Sequence, residues 1–389
     1  MEAGSHRFDD LLIPHGGAGV MTGFLGKVGR GVVSVLDWVF GLAAIVGGLA
    51  VLSVTPVGNF FSLGYLIECS GRVARTGRLR DGFVGIRKAS VVGSLVVGTW
   101  LVLLPVRFVS GMWRDAELIA PGSATAQGWR VALVVISVLA VVHILWAWLR
   151  GGRLWHFLWP APRRFVRWLR EPGKYARVRD GVMGYVLGLR LPYYFWLGLR
   201  GFVGAVAWLI VPVGVLLGAS HLPEGAAALV SLLGAGLLAL VVMYLPFLQV
   251  HFARTKRMRA MFELGEVRGY FRRAPIAFWV ALFVTLLFAL PLYLLKIELT
   301  PREVAWLPSL LFVVFIFPAR LFTGWAMGRA VKREEPRHGV FRWASRLAVV
   351  PVVLVYVLFV YLTQYLSWYG TWSLLEQHAF LVPAPLMGL

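Results

Sequence analysis

Eight continuous apolar runs, each near 20 residues, punctuate this sequence, and thirty-one of its 39 Lys and Arg residues fall in four connectors between them. About 20 apolar residues in a helix cross a hydrocarbon core of roughly 30 Å. A soluble fold would have to bury such runs on all sides. A chain of 389 residues that is 59% hydrophobic and 15% charged lacks the polar surface for that, since soluble domains carry about 25% charged residues. The runs are continuous rather than alternating, which argues against strands, and backbone groups in lipid must be satisfied within helices or closed barrels. The pattern predicts an all-α, polytopic transmembrane helix bundle. About eight spans are expected, at 32–54, 91–109, 131–149, 201–219, 226–248, 276–296, 304–324 and 347–366.

The four connectors hold only eight acids. The opposite side, tails included, holds eight basic and nine acidic residues. Basic loops stay on the cytoplasmic side of a membrane, so the connectors are expected in the cytoplasm of a bacterial-type inner membrane, with both termini outside. Lys27 and Arg30 run against that assignment, because they flank the first span on its outer side while Arg72 is the first basic residue on its inner side. A seven-span arrangement with the N-terminus inside is the alternative; Pro56 and Gly58 would then break the chain so that residues 59–70 re-enter or lie flat. Trp113, Trp129, Trp146, Trp148, Trp306, Trp368 and Trp372 fall near predicted span ends, as interfacial aromatic belts do. No cleavable signal peptide is expected: the first 30 residues are polar and Gly-rich, and the apolar run from Val32 is too long for one.

The first and third hairpins share a plan. Pro56, then Gly77-Arg78-Leu79-Arg80, Phe83 and Leu104-Pro105 match Pro246, then Gly265-Glu266-Val267-Arg268, Phe271 and Leu290-Pro291. Arg170-Glu171-Pro172 and Arg333-Glu334-Glu335-Pro336 relate the second and fourth connectors. These likenesses suggest two parallel halves of four spans, residues 31–219 and 220–370, between a polar tail at 1–30 and a C-terminal tail at 371–389. The stretch TPVGNFFSLGYLIECSGRVARTGRL, with the apolar span that follows to Pro105, resembles the first hairpin of a family of bacterial and archaeal multi-pass membrane proteins of unknown function. Pro56, Gly58, Gly64, Tyr65, Leu66, Arg72 and Arg75 carry that resemblance, which covers residues 55–105; Glu68 and Cys69 depart from it. The family has no assigned activity, so it implies a membrane fold and nothing catalytic.

The second connector, residues 150–200, sets Arg163, Arg164, Arg167 and Arg170 against Phe165, Trp168 and Leu169. Helical spacing gives one basic and one aromatic face, the signature of a helix lying in the interface with guanidinium groups on lipid phosphates. Arg163, Arg164, Arg167, Arg170 and Trp168 are therefore the candidate lipid- or partner-binding residues. Basic-aromatic interleaving also suits single-stranded nucleic acid, but here it brackets membrane spans and no nucleic acid is expected. Pro192 is expected to bend the chain between interface and span. Ionisable groups within spans are the other candidates: Asp37, which could couple protons or hold a cation; His143, beside Trp146; and Arg320, at a Phe317-Pro318 kink. The Arg320 guanidinium is expected to snorkel to the interface, as are Lys296 and Arg107.

Ordinary enzyme constellations are missing from the sequence. It has no Walker A loop, no His-Glu-x-x-His and no Gly-x-Ser-x-Gly, and its single Cys allows no Cys-x-x-Cys. Eight dispersed His argue against a metal site, and no cofactor is expected. The primary expectation is a non-catalytic membrane protein that organises helices, anionic lipids or a partner at its cytoplasmic face, the partner being another protein or a second copy. A transporter of two four-span halves and a membrane-embedded lipid-modifying enzyme are the alternatives.

Overall fold

The computed structural model describes residues 24–170, 173–294, 306–367, 370–375 and 380–384. Thirteen α-helices and no strand form among them. In chain order these are α1 Phe24–Ser53, α2 Pro56–Thr76, α3 Ile86–Ile119, α4 Ala124–Leu149, α5 Leu154–Leu158, α6 Pro162–Leu169 and α7 Lys174–Gly188. Then come α8 Leu191–Ala219, α9 Glu224–Thr255, α10 Leu264–Arg273, α11 Pro275–Leu294, α12 Trp306–Val331 and α13 Gly339–Leu366. Eight stretches are long and apolar enough to cross a membrane, and they coincide with the eight predicted runs. The protein is an integral, multi-pass helical membrane protein. The chain does bend before the fourth run, but at Arg190, which takes a left-handed φ of 54°. Pro192 instead sits in the first turn of α8, where its missing N–H leaves no hydrogen bond unmade.

Contacts group the chain into two units that interleave in sequence: residues up to Ile45 with Gly85–Arg190, and Val46–Val84 with Leu191–Leu389. In the first unit α3 and α4 pair, and glycines of α3 let it approach α1 and α5 closely. A Cβ on Gly93 would lie 2.6 Å from the Ala44 methyl, and one on Gly98 would enter the Phe157 ring.

The second unit is organised around α2. Thr55 caps its start, its Oγ1 accepting from Gly58 N at 3.1 Å, and Gly77 ends it in a left-handed turn at φ 73°. Most of α2 is buried, Asn59, Ser62, Glu68, Cys69 and Ser70 included, and its neighbours are α8, α9 and α12. Backbones approach closely at these contacts. A Cβ on Gly64 would lie 1.8 Å from the Tyr194 carbonyl oxygen, and one on Gly198 would lie 1.9 Å from that of Phe60. Gly324 and Gly328 bring α12 against Ser70 and Val73 in the same way, the use expected of small residues four apart.

These contacts also fix direction. Gly71 meets Ala253, and Gly77 meets Gly328, so the C-terminal ends of α2, α9 and α12 lie together. At its other end α2 meets the last turn of α1: the Ser62 hydroxyl donates to the Leu49 carbonyl at 2.9 Å. Residues 59–70 form the middle of this buried helix, which runs parallel to two span-length helices.

The shared end shows an internal repeat. Ala74-Arg-Thr-Gly-Arg-Leu-Arg-Asp-Gly-Phe83 matches Ala253-Arg-Thr-Lys-Arg-Met-Arg-Ala-Met-Phe262 without a gap, with Ala, Arg, Thr, Arg, Arg and Phe identical. The backbone repeats as well. Each helix ends on a left-handed residue, Gly77 at φ 73° and Lys256 at φ 60°, followed by an extended Arg and a short 3-10 turn. The repeat therefore pairs Gly77 with Lys256, not with Gly265 as the sequence suggested. Gly265 lies in the first turn of the separate helix α10.

Candidate functional site

In the first unit, the end of α4 grips the connector that follows it. His143 Nε2 lies 2.7 Å from the Phe157 carbonyl, and Trp146 Nε1 donates to the Pro160 carbonyl at 2.8 Å. Arg150 Nη2 donates to Trp159 O at 2.6 Å and also to His156 O. An irregular segment leaves its carbonyls without intrahelical partners, and each one buried unpaired would cost about 1–3 kcal/mol; α4 satisfies four of them. Burial, together with the neighbouring Arg164 charge, lowers the Arg150 pKa below the usual arginine value.

This clamp seats α6. Pro162 starts the helix, where proline is favoured. Its Phe165 and Trp168 rings rest on buried Trp146, with centroids 5.1 and 5.7 Å away. Arg163, Arg164, Arg167 and Arg170 are all exposed. The predicted two-faced helix is present, and an aromatic anchor holds it.

In the second unit, two polar clusters lie within the helices. Glu68 is 5% exposed and accepts from Arg75 Nη2 at 2.7 Å and from the Tyr193 hydroxyl at 2.6 Å; Arg72 Nε stands 3.5 Å away. Arg75 also reaches the Ala253 carbonyl at 2.9 Å. A buried carboxylate needs such partners, and here they tie α2 to α8 and α9.

The second cluster joins α2, α9 and α12 to the C-terminal segment. Arg320 Nη1 donates to Gln249 Oε1 at 2.5 Å, and Gln249 Nε2 donates to the Phe380 carbonyl at 2.7 Å. Asn59 Nδ2 donates to the Ala384 carbonyl at 3.0 Å. The described parts of the segment lie against α13: Ser373 Oγ lies 3.4 Å from Thr363 Oγ1, and the fully buried Phe380 ring meets Tyr356 edge-on at 6.1 Å. Irregular backbone among membrane helices is tolerated only where protein or water satisfies it, and these two amides supply that satisfaction. A cavity of about 10 Å3 adjoins Arg320, with Pro246, Thr285 and Thr323 in its wall, room for about one water.

The candidate residues thus separate. Arg163, Arg164, Arg167 and Trp168 stand together on α6, with Arg170 at its C-terminal cap. His143 serves the connector clamp. Asp37 is exposed on α1 and belongs to none of these clusters. Arg320 does not snorkel: it is 4% exposed, because Gln249 offers an acceptor within the bundle. Arg107 is exposed on α3, and Lys296 lies outside the described residues. Sequence reasoning passed over Asn59 and Gln249 as bonding groups and took Glu68 only as a departure from a family pattern. The signals were faint: Asn59 is the sole asparagine, and Glu68 is an acid amid small and apolar residues. Among the described residues no group of three or more His, Cys, Asp or Glu could hold a metal ion.

Residues 176–299 match the model of a family described as "Protein of unknown function (DUF4013)". The match runs from α7 to beyond α11. It is a segment-long likeness to an uncharacterised family, as expected, although the sequence placed it on residues 55–105. The repeat relates the two places, since Ala253–Phe262 lies in the matched segment and its copy, Ala74–Phe83, lies in 55–105. No curated protein and no solved structure matches the chain.

Proposed function

We propose that this protein organises anionic lipid at the cytoplasmic face of a bacterial-type inner membrane and has no catalytic role. The observation that carries the reading is α6. Its aromatic face is held on Trp146, its four arginines are unhindered, and the connector leading into it is clamped to α4. A cationic helix held in place loses little freedom when it meets phosphate headgroups, and each basic residue near an anionic leaflet contributes about 1 kcal/mol. His143 is engaged by the Phe157 carbonyl and Asp37 stands exposed on α1, which favours this reading over transport.

Positive-inside logic puts the four basic connectors in the cytoplasm. We further read α2 as an additional crossing that protein shields from lipid, because it lies parallel to α9 and α12. The N-terminus then lies inside with Lys27 and Arg30, and the C-terminus lies outside.

The lipid reading is tested by reconstituting the full chain in nanodiscs of mixed phosphatidylglycerol and phosphatidylcholine and counting retained lipids by native mass spectrometry. Arg163→Glu/Arg164→Glu/Arg167→Glu is expected to forfeit at least about 3 kcal/mol of headgroup attraction, roughly a hundredfold in affinity. Retained phosphatidylglycerol should fall toward the phosphatidylcholine level. Unchanged retention would remove the basis of the proposal.

A further inference from the structure

The internal repeat sets the same arginine in two equivalent places with different company. Tyr65-Leu66 and Tyr244-Leu245 stand in the register of Ala74–Phe83 and Ala253–Phe262, so Arg75 corresponds to Arg254 and Glu68 to Phe247. Arg75 finds its counter-charge inside the fold, with Glu68 2.7 Å away. Arg254 does not, because Phe247 stands where the acid would be. Its Nη2 donates to the Tyr270 hydroxyl at 2.8 Å, and its Nε is buried without an acceptor.

Two more arginines gather at the same place, where α10 packs against α9 and α12. The guanidinium carbons of Arg254 and Arg273 lie 5.3 and 5.6 Å from the centroid of the Tyr270 ring. Arg333 Nη1 lies 3.5 Å from the Arg273 carbonyl oxygen. All three arginines are half-buried, and Tyr270 is 8% exposed. Glu263, the acid nearest Arg254 in sequence, is taken by His251 at 3.0 Å and faces Arg259 at 3.7 Å. Among the described residues, Glu266, Glu334 and Glu335 form no ion pair, and neither do these three arginines. Half-buried like charges without a counter-charge are costly, and an anion from outside the chain removes that cost.

We propose that Arg254, Arg273 and Arg333 form a binding site for a phosphate group, carried by a lipid headgroup or free in solution. The phosphate takes the part that Glu68 plays beside Arg75. Guanidinium forks pair their N–H donors with phosphate oxygens, and a phosphate offers more oxygens and more charge to three arginines than one carboxylate does. The site uses none of the α6 residues and stands whether or not α6 binds lipid.

The test follows the thermal midpoint of the full chain in neutral detergent as potassium phosphate replaces potassium chloride at constant ionic strength. A second arm compares the full chain in phosphatidylcholine nanodiscs with and without phosphatidylglycerol. Phosphate or phosphatidylglycerol should raise the wild-type midpoint; a rise with phosphatidylglycerol alone assigns the site to a headgroup. Arg254→Gln and Arg273→Gln should each raise the half-saturating phosphate concentration about tenfold or more, or abolish the gain from phosphatidylglycerol. Arg257→Gln and Arg268→Gln, which remove exposed charges, should leave the response as it is, and so should the triple α6 charge reversal. Cys69, the only cysteine and fully buried, checks the fold by remaining unreactive to maleimide. Should Arg254→Gln expose it, Arg254→Lys takes its place, keeping the charge and losing the fork. No response of the wild type to either source would overturn the proposal. A response that survives both the Arg254 and Arg273 variants, or that falls as far with Arg257→Gln, would do so too.

Discussion

Gly64→Ala and Gly198→Ala are each expected to prevent the second unit from assembling. A methyl group at either position meets a backbone carbonyl oxygen at under 2 Å, from Tyr194 or Phe60. Backbone cannot rotate away as a flexible side chain can, so α2 and α8 would have to separate along the contact that buries Glu68 and Tyr193. Overpacking costs about 1–3 kcal/mol where side chains can adjust, and more is expected here because both helices must move. The measurement is the yield of monodisperse protein from membranes and its thermal midpoint. Gly111→Ala and Gly236→Ala, which meet nothing within 4 Å, serve as controls and should be near neutral. Wild-type yield and midpoint for Gly64→Ala would show that the crossing is looser than described.

Gln249→Leu is expected to destabilise the protein by about 3 kcal/mol, because it removes an acceptor from a buried guanidinium. The double variant Gln249→Leu/Arg320→Leu should recover part of that loss, since it removes the charge along with its partner. Unfolding in increasing denaturing detergent, followed by circular dichroism, compares the two. If Arg320 reached the interface instead, Gln249→Leu would change little and the double variant would be no better than the single one.

The sequence disclosed the spans because length and continuous apolarity are what lipid contact demands. It also disclosed α6, since Arg163, Arg164, Arg167 and Arg170 recur on one face with Phe165 and Trp168 on the other. It did not disclose α2 as part of the core. Asn59, Ser62, Glu68 and Ser70 lower its hydropathy, and hydropathy reports exposure to lipid rather than burial among other helices. The register of the repeat was hidden for a related reason. The conserved element is a left-handed cap, which glycine adopts freely at Gly77 and which Lys256 also adopts with its ammonium 4.9 Å from the Tyr193 ring centroid. Recognition of the C-terminal carbonyls by Asn59 and Gln249 has no sequence signature, because any residue supplies a carbonyl.

The path of α2 through the second unit is the claim on which the topology depends. Cysteine accessibility in sealed, oriented vesicles tests it, in a Cys69→Ser background with single cysteines at Thr55, Arg78, Arg257 or Glu334, all exposed positions. A membrane-impermeant maleimide should label Thr55→Cys from one side only, and Arg78→Cys, Arg257→Cys and Glu334→Cys from the other. Labelling of Thr55→Cys from the same side as Arg78→Cys would contradict a crossing by α2 and return the N-terminus to the outside.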